Sequence, residues 1–228
     1  MAKVGVLLSG CGVYDGAEIH ESVITLLALD RAGAEIVCMA PDVDQMHVVD
    51  HRTGDVVEER RNVLTESARI ARGDIRDLAE VGAGDIDALI LPGGLGAAKN
   101  LCDFAVAGSD ARTHPEVARL LDEMLAAKKP VGVVCIAPAV MAAVLRDTGR
   151  SGRLTIGTDE ATAANLERMG VIHVPCKVEE ICVDAETGVV STPAYMLAGR
   201  ISEAATGIER LVAEVLARVG APEAARSR

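Results

Sequence analysis

The feature that most constrains this chain is an alternation of short, continuous aliphatic runs with longer amphipathic segments. Six runs are typical of strands buried on both faces, because nearly every residue in them is apolar. They occupy residues 4–8, 35–39, 88–91, 131–134, 154–156 and 189–192. Helical patterns fall at 19–32, 115–127, 137–145, 161–169 and 200–219. The alternation predicts an α/β fold: a doubly wound, mostly parallel, flavodoxin-like sheet with helices on both faces.

The domain organisation is predicted to be simple, because 228 residues fit one α/β domain. We expect a single domain over residues 1–228. The long polar stretch 42–84, with a helical pattern near 64–72, is interpreted as an insertion on it. Residues 173–190 are interpreted as a small β excursion with a strand at 178–183. The tail 220–228 is expected to be frayed.

Charge and hydropathy exclude several classes of partner. The formal net charge is -11 with no basic stripe, which opposes binding to nucleic acid or to an anionic membrane surface. No apolar run approaches the ~20 residues of a membrane span. Residues 1–3 lead directly into the first strand, without the charged region or cleavage site of a signal peptide. We therefore expect a cytoplasmic protein with no nucleic-acid or membrane partner.

The six cysteines are scattered and form no Cys-x-x-Cys pair. That spacing favours neither a disulfide framework nor a structural zinc site. Free, buried thiols are the default expectation, and no metal or other cofactor is expected.

Cys135 is the cysteine most suited to chemistry. It ends the buried run 131–134, and the helical pattern begins at Ala137, so almost no loop separates strand from helix. A sharp strand-to-helix turn is typical of a nucleophile elbow. A thiol at a helix N-terminus has its pKa lowered by the helix dipole. A packed structural cysteine is the alternative, and position alone does not separate the two.

A glycine-rich turn follows the run 88–91 and is expected at the same carboxyl edge of the sheet as Cys135. Glycines there allow close backbone approach. The N–H groups of Gly94 and Ile136 could together form an oxyanion hole. The alternative is an ordinary glycine-rich loop. The turn lacks the Gly-Lys-Ser/Thr ending of a phosphate-binding P-loop.

A third segment, residues 10–21, links the first strand to the first helix. Glu18 and Glu21 lie three residues apart and share a helix face. A carboxyl beside a thiolate has a raised pKa, which makes it a candidate proton shuttle. For Glu18 the favoured interpretation is helix-start chemistry. Cys11 could be a second thiol near the site, and His20 is the only histidine near these loops. The glycine pattern does not match dinucleotide binding.

These residues together resemble a known family. The chain is similar to the ThiJ/PfpI group of the class I glutamine amidotransferase-like superfamily, closest to the ElbB-like glyoxalases, also called enhancing lycopene biosynthesis proteins. The matching stretches are LSGCGVYDG at 8–16, LPGG at 91–94, CIAPA at 135–139, TIGTD at 155–159 and TPAYM at 192–196.

The resemblance implies roles for individual residues. Cys135 matches the elbow cysteine, and Glu21 matches the glutamate that hydrogen-bonds that thiol. Gly94 and Ile136 match the backbone positions of the oxyanion hole. Tyr195, in the last matching stretch, is a candidate to line the site. Family members are commonly dimers, so a homodimer is expected.

The activity implied is a weak glyoxalase reaction, glyoxal to glycolate, without glutathione or metal. One departure is that Ile136 follows Cys135, where protease-like members have histidine, and no histidine occurs between Cys135 and His173. This argues against protease or amidotransferase activity. The alternative hypothesis is a redox-sensing or regulatory protein with an oxidisable Cys135, linked to isoprenoid metabolism. A binding module for an isoprenoid-pathway metabolite or enzyme is a third.

Overall fold

The fold was analysed in a computed structural model that describes residues 1–220. Apart from Gly220, the tail expected to fray lies outside the described residues. Nine strands are present in this part of the chain. They are β1 (Lys3–Leu7), β2 (Glu35–Ala40), β3 (Arg76–Asp77), β4 (Ala88–Leu91), β5 (Val131–Val134), β6 (Arg153–Leu154), β7 (Ile172–His173), β8 (Cys182–Val183) and β9 (Val189–Thr192).

Seven of these strands form the main sheet, in the order β3-β2-β1-β4-β5-β9-β8. Every pairing is parallel except that of β8 with β9. The strand order reverses between β1 and β4, so the carboxyl ends of these strands flank a crevice of the kind that binds ligands in doubly wound sheets. The predicted α/β fold is confirmed.

Seven α-helices connect or follow the strands within the described residues. They are α1 (Ile19–Arg31), α2 (Val63–Ile70), α3 (Phe104–Ala107), α4 (Pro115–Ala126), α5 (Pro138–Asp147), α6 (Glu160–Arg168) and α7 (Ile201–Arg218). Helices α1 and α7 pack together, as do α4 and α5. The chain crosses from β1 to β2 in one direction along the sheet and from β4 to β5 in the other. Because both crossovers are right-handed, the two helix pairs lie on opposite faces of the sheet.

Local chemistry explains why the helices begin where they do. The side chain of Asn62 accepts the N–H of Thr65 at the start of α2, and Asp159 does the same for Thr162 at the start of α6. Pro115 opens α4, where its missing N–H costs nothing. Each of these signals is visible in the sequence.

Three segments differ from the sequence-based expectation. The stretch 42–84, interpreted as an insertion, supplies the edge strand β3. The run 154–156 does not join the main sheet: residues 153–154 form β6, which pairs with β7 in a separate two-stranded sheet, and the Thr155 N–H donates instead to Ser191 Oγ at 2.9 Å. The strand expected at 178–183 is reduced to β8, because a turn closes ahead of it: the Lys177 N–H donates to Glu180 Oε2 at 2.7 Å.

The core is aliphatic, as the near absence of aromatic residues requires. Its largest fully buried side chains are leucine, isoleucine and methionine, and they include residues of β1, β2 and β4 and of the helices α1 and α4. None of the described helices is both long enough and apolar enough to cross a membrane. All six cysteines are free thiols.

Candidate active site

Cys135 occupies a strained elbow between β5 and α5. Its φ is 60°, a left-handed conformation that few residues other than glycine adopt. The turn is fixed by two backbone hydrogen bonds, from the Cys135 N–H to Thr192 O at 2.9 Å and from the Ala137 N–H to Val134 O at 2.9 Å. A non-glycine residue held in this region of φ at a strand-to-helix turn is the geometry of a nucleophile elbow.

Gly93 permits a close approach of the turn after β4 to Cys135. A Cβ added at Gly93 would lie 2.4 Å from Cys135 Cβ and 2.7 Å from Glu21 Oε2. Neither distance is sterically tolerable, so only a glycine at position 93 allows this turn to contact both Cys135 and Glu21.

Two backbone N–H groups converge on the thiol. Both the Gly94 and the Ile136 amides donate towards the Cys135 sulfur. They come from different loops, one after β4 and one at the start of the α5 turn. Two convergent donors next to a nucleophile are the arrangement needed to hold an oxygen that gains negative charge.

Glu21 lies beneath this turn, on the first turn of α1, and is fully buried. Its Oε2 accepts the Gly93 N–H at 2.9 Å and its Oε1 accepts the Tyr195 N–H at 3.2 Å. It is also hydrogen-bonded to the Cys135 thiol. Burial raises the pKa of Glu21 to about 7 and the charge of Glu18 adds to the rise, while the hydrogen bonds oppose it. A carboxyl with this pKa can both take and give a proton near neutral pH.

The pKa of the Cys135 thiol is raised well above its usual value. Burial is the largest cause and the charge of Glu21 is the next, while the Gly94 and Ile136 amides act in the opposite direction. The expectation that the helix N-terminus would lower this pKa is therefore wrong for the resting site. The reason is that enclosure and a neighbouring carboxylate outweigh the two amides.

Glu18 has two roles, one at the start of α1 and one in the wall of a cavity. Its Oε2 accepts the Glu21 N–H at 2.7 Å as the N-cap of α1, which is the helix-start chemistry that the sequence favoured. It also lines the cavity above Cys135. His20 lies next to it on α1, and its Nδ1 is 2.8 Å from the hydroxyl of Tyr195.

A cavity of about 520 Å³ opens above the thiol. Its walls are mostly apolar, and Lys99 and Glu18 are the charged side chains among them. The lining residues are Val13, Glu18, Gly94, Leu95, Ala98, Lys99, Phe104, Ala105, Cys135, Ile136, Thr162, Tyr195 and Met196.

The structure brings together most of the residues singled out in the sequence. Cys11 is the exception among the described residues, since it is not part of this cavity wall; its charged neighbours are Glu66, Arg69, Asp15 and Arg61. Lys99, Phe104 and Met196 also line the cavity and were not predicted from the sequence. For Lys99 the available signal was its place directly after the glycine-rich turn.

Comparisons with known proteins identify the family. No family model matches this chain. It is 47% identical over 229 residues to the human glutamine amidotransferase-like class 1 domain-containing protein 3, mitochondrial, and the match covers 96% of this chain and 84% of the human protein. The chain belongs to the class 1 glutamine amidotransferase-like family. The resemblance to its ThiJ/PfpI group is confirmed.

Other members support this assignment. The rat ES1 protein homolog, mitochondrial, is 46% identical over 96% of this chain and 85% of its own length. A crystal structure of an isoprenoid biosynthesis protein with an amidotransferase-like domain, from Ehrlichia chaffeensis, has a TM-score of 0.87 at 36% identity, covering 94% of this chain and 99% of that one. More distant structures of the DJ-1/ThiJ/PfpI group share the fold.

The expectation of a cytoplasmic location is contradicted by the same comparison. The human and rat members of this family are named as mitochondrial. The expectation rested on missing signal-peptide features in residues 1–3, and those features concern secretion rather than mitochondrial import.

Proposed function

We propose that this family member is a cofactor-independent glyoxalase that converts small dicarbonyls to hydroxy acids, with glyoxal to glycolate as the simplest case. The observation that carries the proposal is the buried pair of Cys135 and Glu21, hydrogen-bonded to each other beneath two amides that converge on the sulfur. A nucleophile, a proton carrier and an oxyanion site are the three components that such an isomerisation needs.

The first step joins the substrate to the protein. Glu21 takes the thiol proton as the sulfur of Cys135 attacks one aldehyde carbon. The new C–S bond forms while the π pair of the C=O bond moves to oxygen. The Gly94 and Ile136 amides hold that oxygen, which takes the proton back from Glu21 to complete a hemithioacetal and leaves Glu21 as a carboxylate again.

The second step moves hydrogen between the two substrate carbons. Glu21 removes the proton from the sulfur-bearing carbon while the second oxygen gains a proton, which gives an enediol. Glu21 then returns its proton to the neighbouring carbon as the hydroxyl on the sulfur-bearing carbon loses its own. The product is a thioester of glycolate, formed without an external oxidant because one carbon is oxidised as the other is reduced. Water then cleaves the thioester, releases glycolate and restores the thiol. General acid–base catalysis of this kind contributes about 100- to 10,000-fold.

The proposed small-molecule partner is the dicarbonyl. The net charge of -11 supports the proposal that neither nucleic acid nor an anionic membrane is bound. A homodimer remains part of the proposal from the family resemblance.

The second candidate is a redox-sensing or regulatory protein, linked to isoprenoid metabolism by the name of the Ehrlichia protein. A sensor needs an exposed thiolate. Cys135 is only 7% exposed and its pKa is raised by burial, so the geometry favours the enzyme. Oxidation confined to Cys135 by mild peroxide, without turnover of any aldehyde, would support the sensor instead.

The test is glycolate formation from glyoxal by metal-free protein. Cys135→Ala and Glu21→Gln are expected to abolish it. Cys38→Ala is the matched control, because Cys38 is a buried thiol on β2, remote in the sheet from the elbow. Unchanged turnover in Cys135→Ala would falsify the proposal.

A further inference from the structure

His20 and Tyr195 form a hydrogen-bonded pair at the wall of the cavity. His20 Nδ1 lies 2.8 Å from Tyr195 Oη, and the two ring centroids are 5.8 Å apart. The residues come from α1 and from the short 3-10 helix after β9, so only the fold brings them together. Tyr195 shares the wall of one cavity with Cys135, Gly94 and Ile136.

The direction of this hydrogen bond depends on which ring nitrogen of His20 carries the hydrogen. The proposal uses the tautomer with the hydrogen on Nδ1, which also lies 4.0 Å from Glu18 Oε1. His20 then donates to the tyrosine oxygen. The hydroxyl hydrogen of Tyr195 is left free to serve a group in the cavity.

Tyr195 is also anchored to the reactive pair. Its backbone N–H donates to Glu21 Oε1 at 3.2 Å, while Glu21 is hydrogen-bonded to the Cys135 thiol. Its position is therefore fixed relative to the carboxyl that handles the carbon-bound proton.

One proton transfer in the proposed reaction has no donor among Cys135, Glu21 and the two backbone amides. A dicarbonyl has two oxygens, and the Gly94 and Ile136 amides hold only the one on the carbon that sulfur attacks. The other oxygen must gain a proton when the enediol forms. Glu21 is occupied at that moment, because it is taking the carbon-bound proton.

We propose that Tyr195 is a further catalytic residue, which gives its hydroxyl proton to the second substrate oxygen, and that His20 is the positioning residue that holds its oxygen. This inference rests on the proposed glyoxalase function. As Glu21 takes the proton from carbon, Tyr195 protonates the second oxygen and becomes a tyrosinate that accepts a hydrogen bond from His20. When Glu21 returns its proton to the second carbon, the hydroxyl proton on the sulfur-bearing carbon restores the tyrosine. The second oxygen keeps its proton as the hydroxyl of glycolate.

The pair takes the place of the histidine that protease-like relatives carry after the nucleophile. In this chain the imidazole acts from α1 and through a tyrosine, which places an acid on the substrate oxygen, while the base on the thiol is the Glu21 carboxylate rather than an imidazole. The assignment therefore fits an isomerisation better than a hydrolysis.

Tyr195→Phe tests this directly, because it removes the hydroxyl and keeps the backbone N–H that Glu21 accepts. We expect kcat for glyoxal to fall about 100-fold or more with KM little changed. The rate at which iodoacetamide alkylates Cys135 should stay at the wild-type value. Tyr14→Phe is the matched control: Tyr14 also packs against a histidine, His51, with ring centroids 5.0 Å apart, and its side chain is not in the cavity wall.

His20 is tested with two variants. His20→Asn places an amide nitrogen where Nδ1 lies and should keep part of the turnover, whereas His20→Leu should lose as much as Tyr195→Phe. Equal loss in both His20 variants would contradict the positioning role.

Three outcomes bear on the proposals. An active wild type with full turnover in Tyr195→Phe overturns this inference and leaves the glyoxalase proposal standing. A Tyr195→Phe protein with slowed Cys135 alkylation shows a merely structural role and also overturns it. A wild type without any glycolate production defeats the glyoxalase proposal, and this inference with it.

Discussion

The Glu21 carboxyl is hydrogen-bonded to the Cys135 thiol, and after burial its charge is the largest cause of that thiol's raised pKa. The two groups are therefore one acid–base unit with little access to solvent. A proton that leaves sulfur has a carboxyl with a pKa of about 7 next to it as its acceptor. The nucleophile is thus activated at the moment of attack rather than stored as a thiolate.

Gly93 is predicted to be the residue on which this contact depends sterically. Gly93→Ala would place a methyl group 2.4 Å from Cys135 Cβ, and overpacking of this kind costs about 1–3 kcal/mol of unfolding free energy. We expect loss of glyoxal turnover together with this destabilisation, measured by urea unfolding. Gly84→Ala is the control, since a Cβ there meets nothing within 4 Å, and it should change neither quantity. Full activity in Gly93→Ala would show that the close approach is not needed.

Burial of Glu21 predicts a pH dependence of stability. Its pKa rises from an ordinary 4.5 to about 7 on folding, so the folded state holds its proton over a range where the unfolded state has lost it. The contribution of Glu21 to stability is fully present below pH 4.5 and is lost as the pH rises through about 7. The unfolding free energy of wild type should fall by about 3 kcal/mol relative to Glu21→Gln across this window. Urea titrations at a series of pH values measure it, and parallel curves for the two proteins would refute the assignment.

The cavity predicts a preference among dicarbonyls. A volume of about 520 Å³ with mostly apolar walls far exceeds the needs of glyoxal. Each buried CH₂ group contributes about 0.8 kcal/mol, so kcat/KM should rise about fourfold from glyoxal to methylglyoxal and further to phenylglyoxal. Ala105→Leu narrows the cavity at an exposed position and should reduce the rate on phenylglyoxal more than on glyoxal. The same kcat/KM for all three substrates would contradict this use of the cavity.

The sequence predicted the parts of the site that are local. Cys135 could be placed at an elbow because a buried aliphatic run meets a helix there without a loop, and the paired acids at Glu18 and Glu21 mark the start of α1. The strands β4, β5 and β9 were placed with their observed bounds. Strands β4 and β5 hold no polar side chain, and β9 begins with two valines before Ser191 and Thr192.

The remaining features depend on contacts between distant segments. The pKa of Cys135 could not be given the right direction, since the burial that raises it comes from three converging loops. The hydrogen bond between His20 and Tyr195 joins residues 175 positions apart, and no local sequence pattern predicts it. The edge strand β3 has only two residues, too few for a periodic signal.

The most direct test of the account is a titration of the Cys135 thiol by pH-dependent alkylation, in wild type and in Glu21→Gln. The account predicts that the thiol pKa falls in Glu21→Gln, because the neighbouring charge is gone, while glycolate production is lost with the proton carrier. The expected result is therefore a Glu21→Gln protein whose thiol ionises more easily but which no longer produces glycolate. An unchanged or higher thiol pKa in Glu21→Gln would contradict the claim that Cys135 and Glu21 act as one acid–base unit.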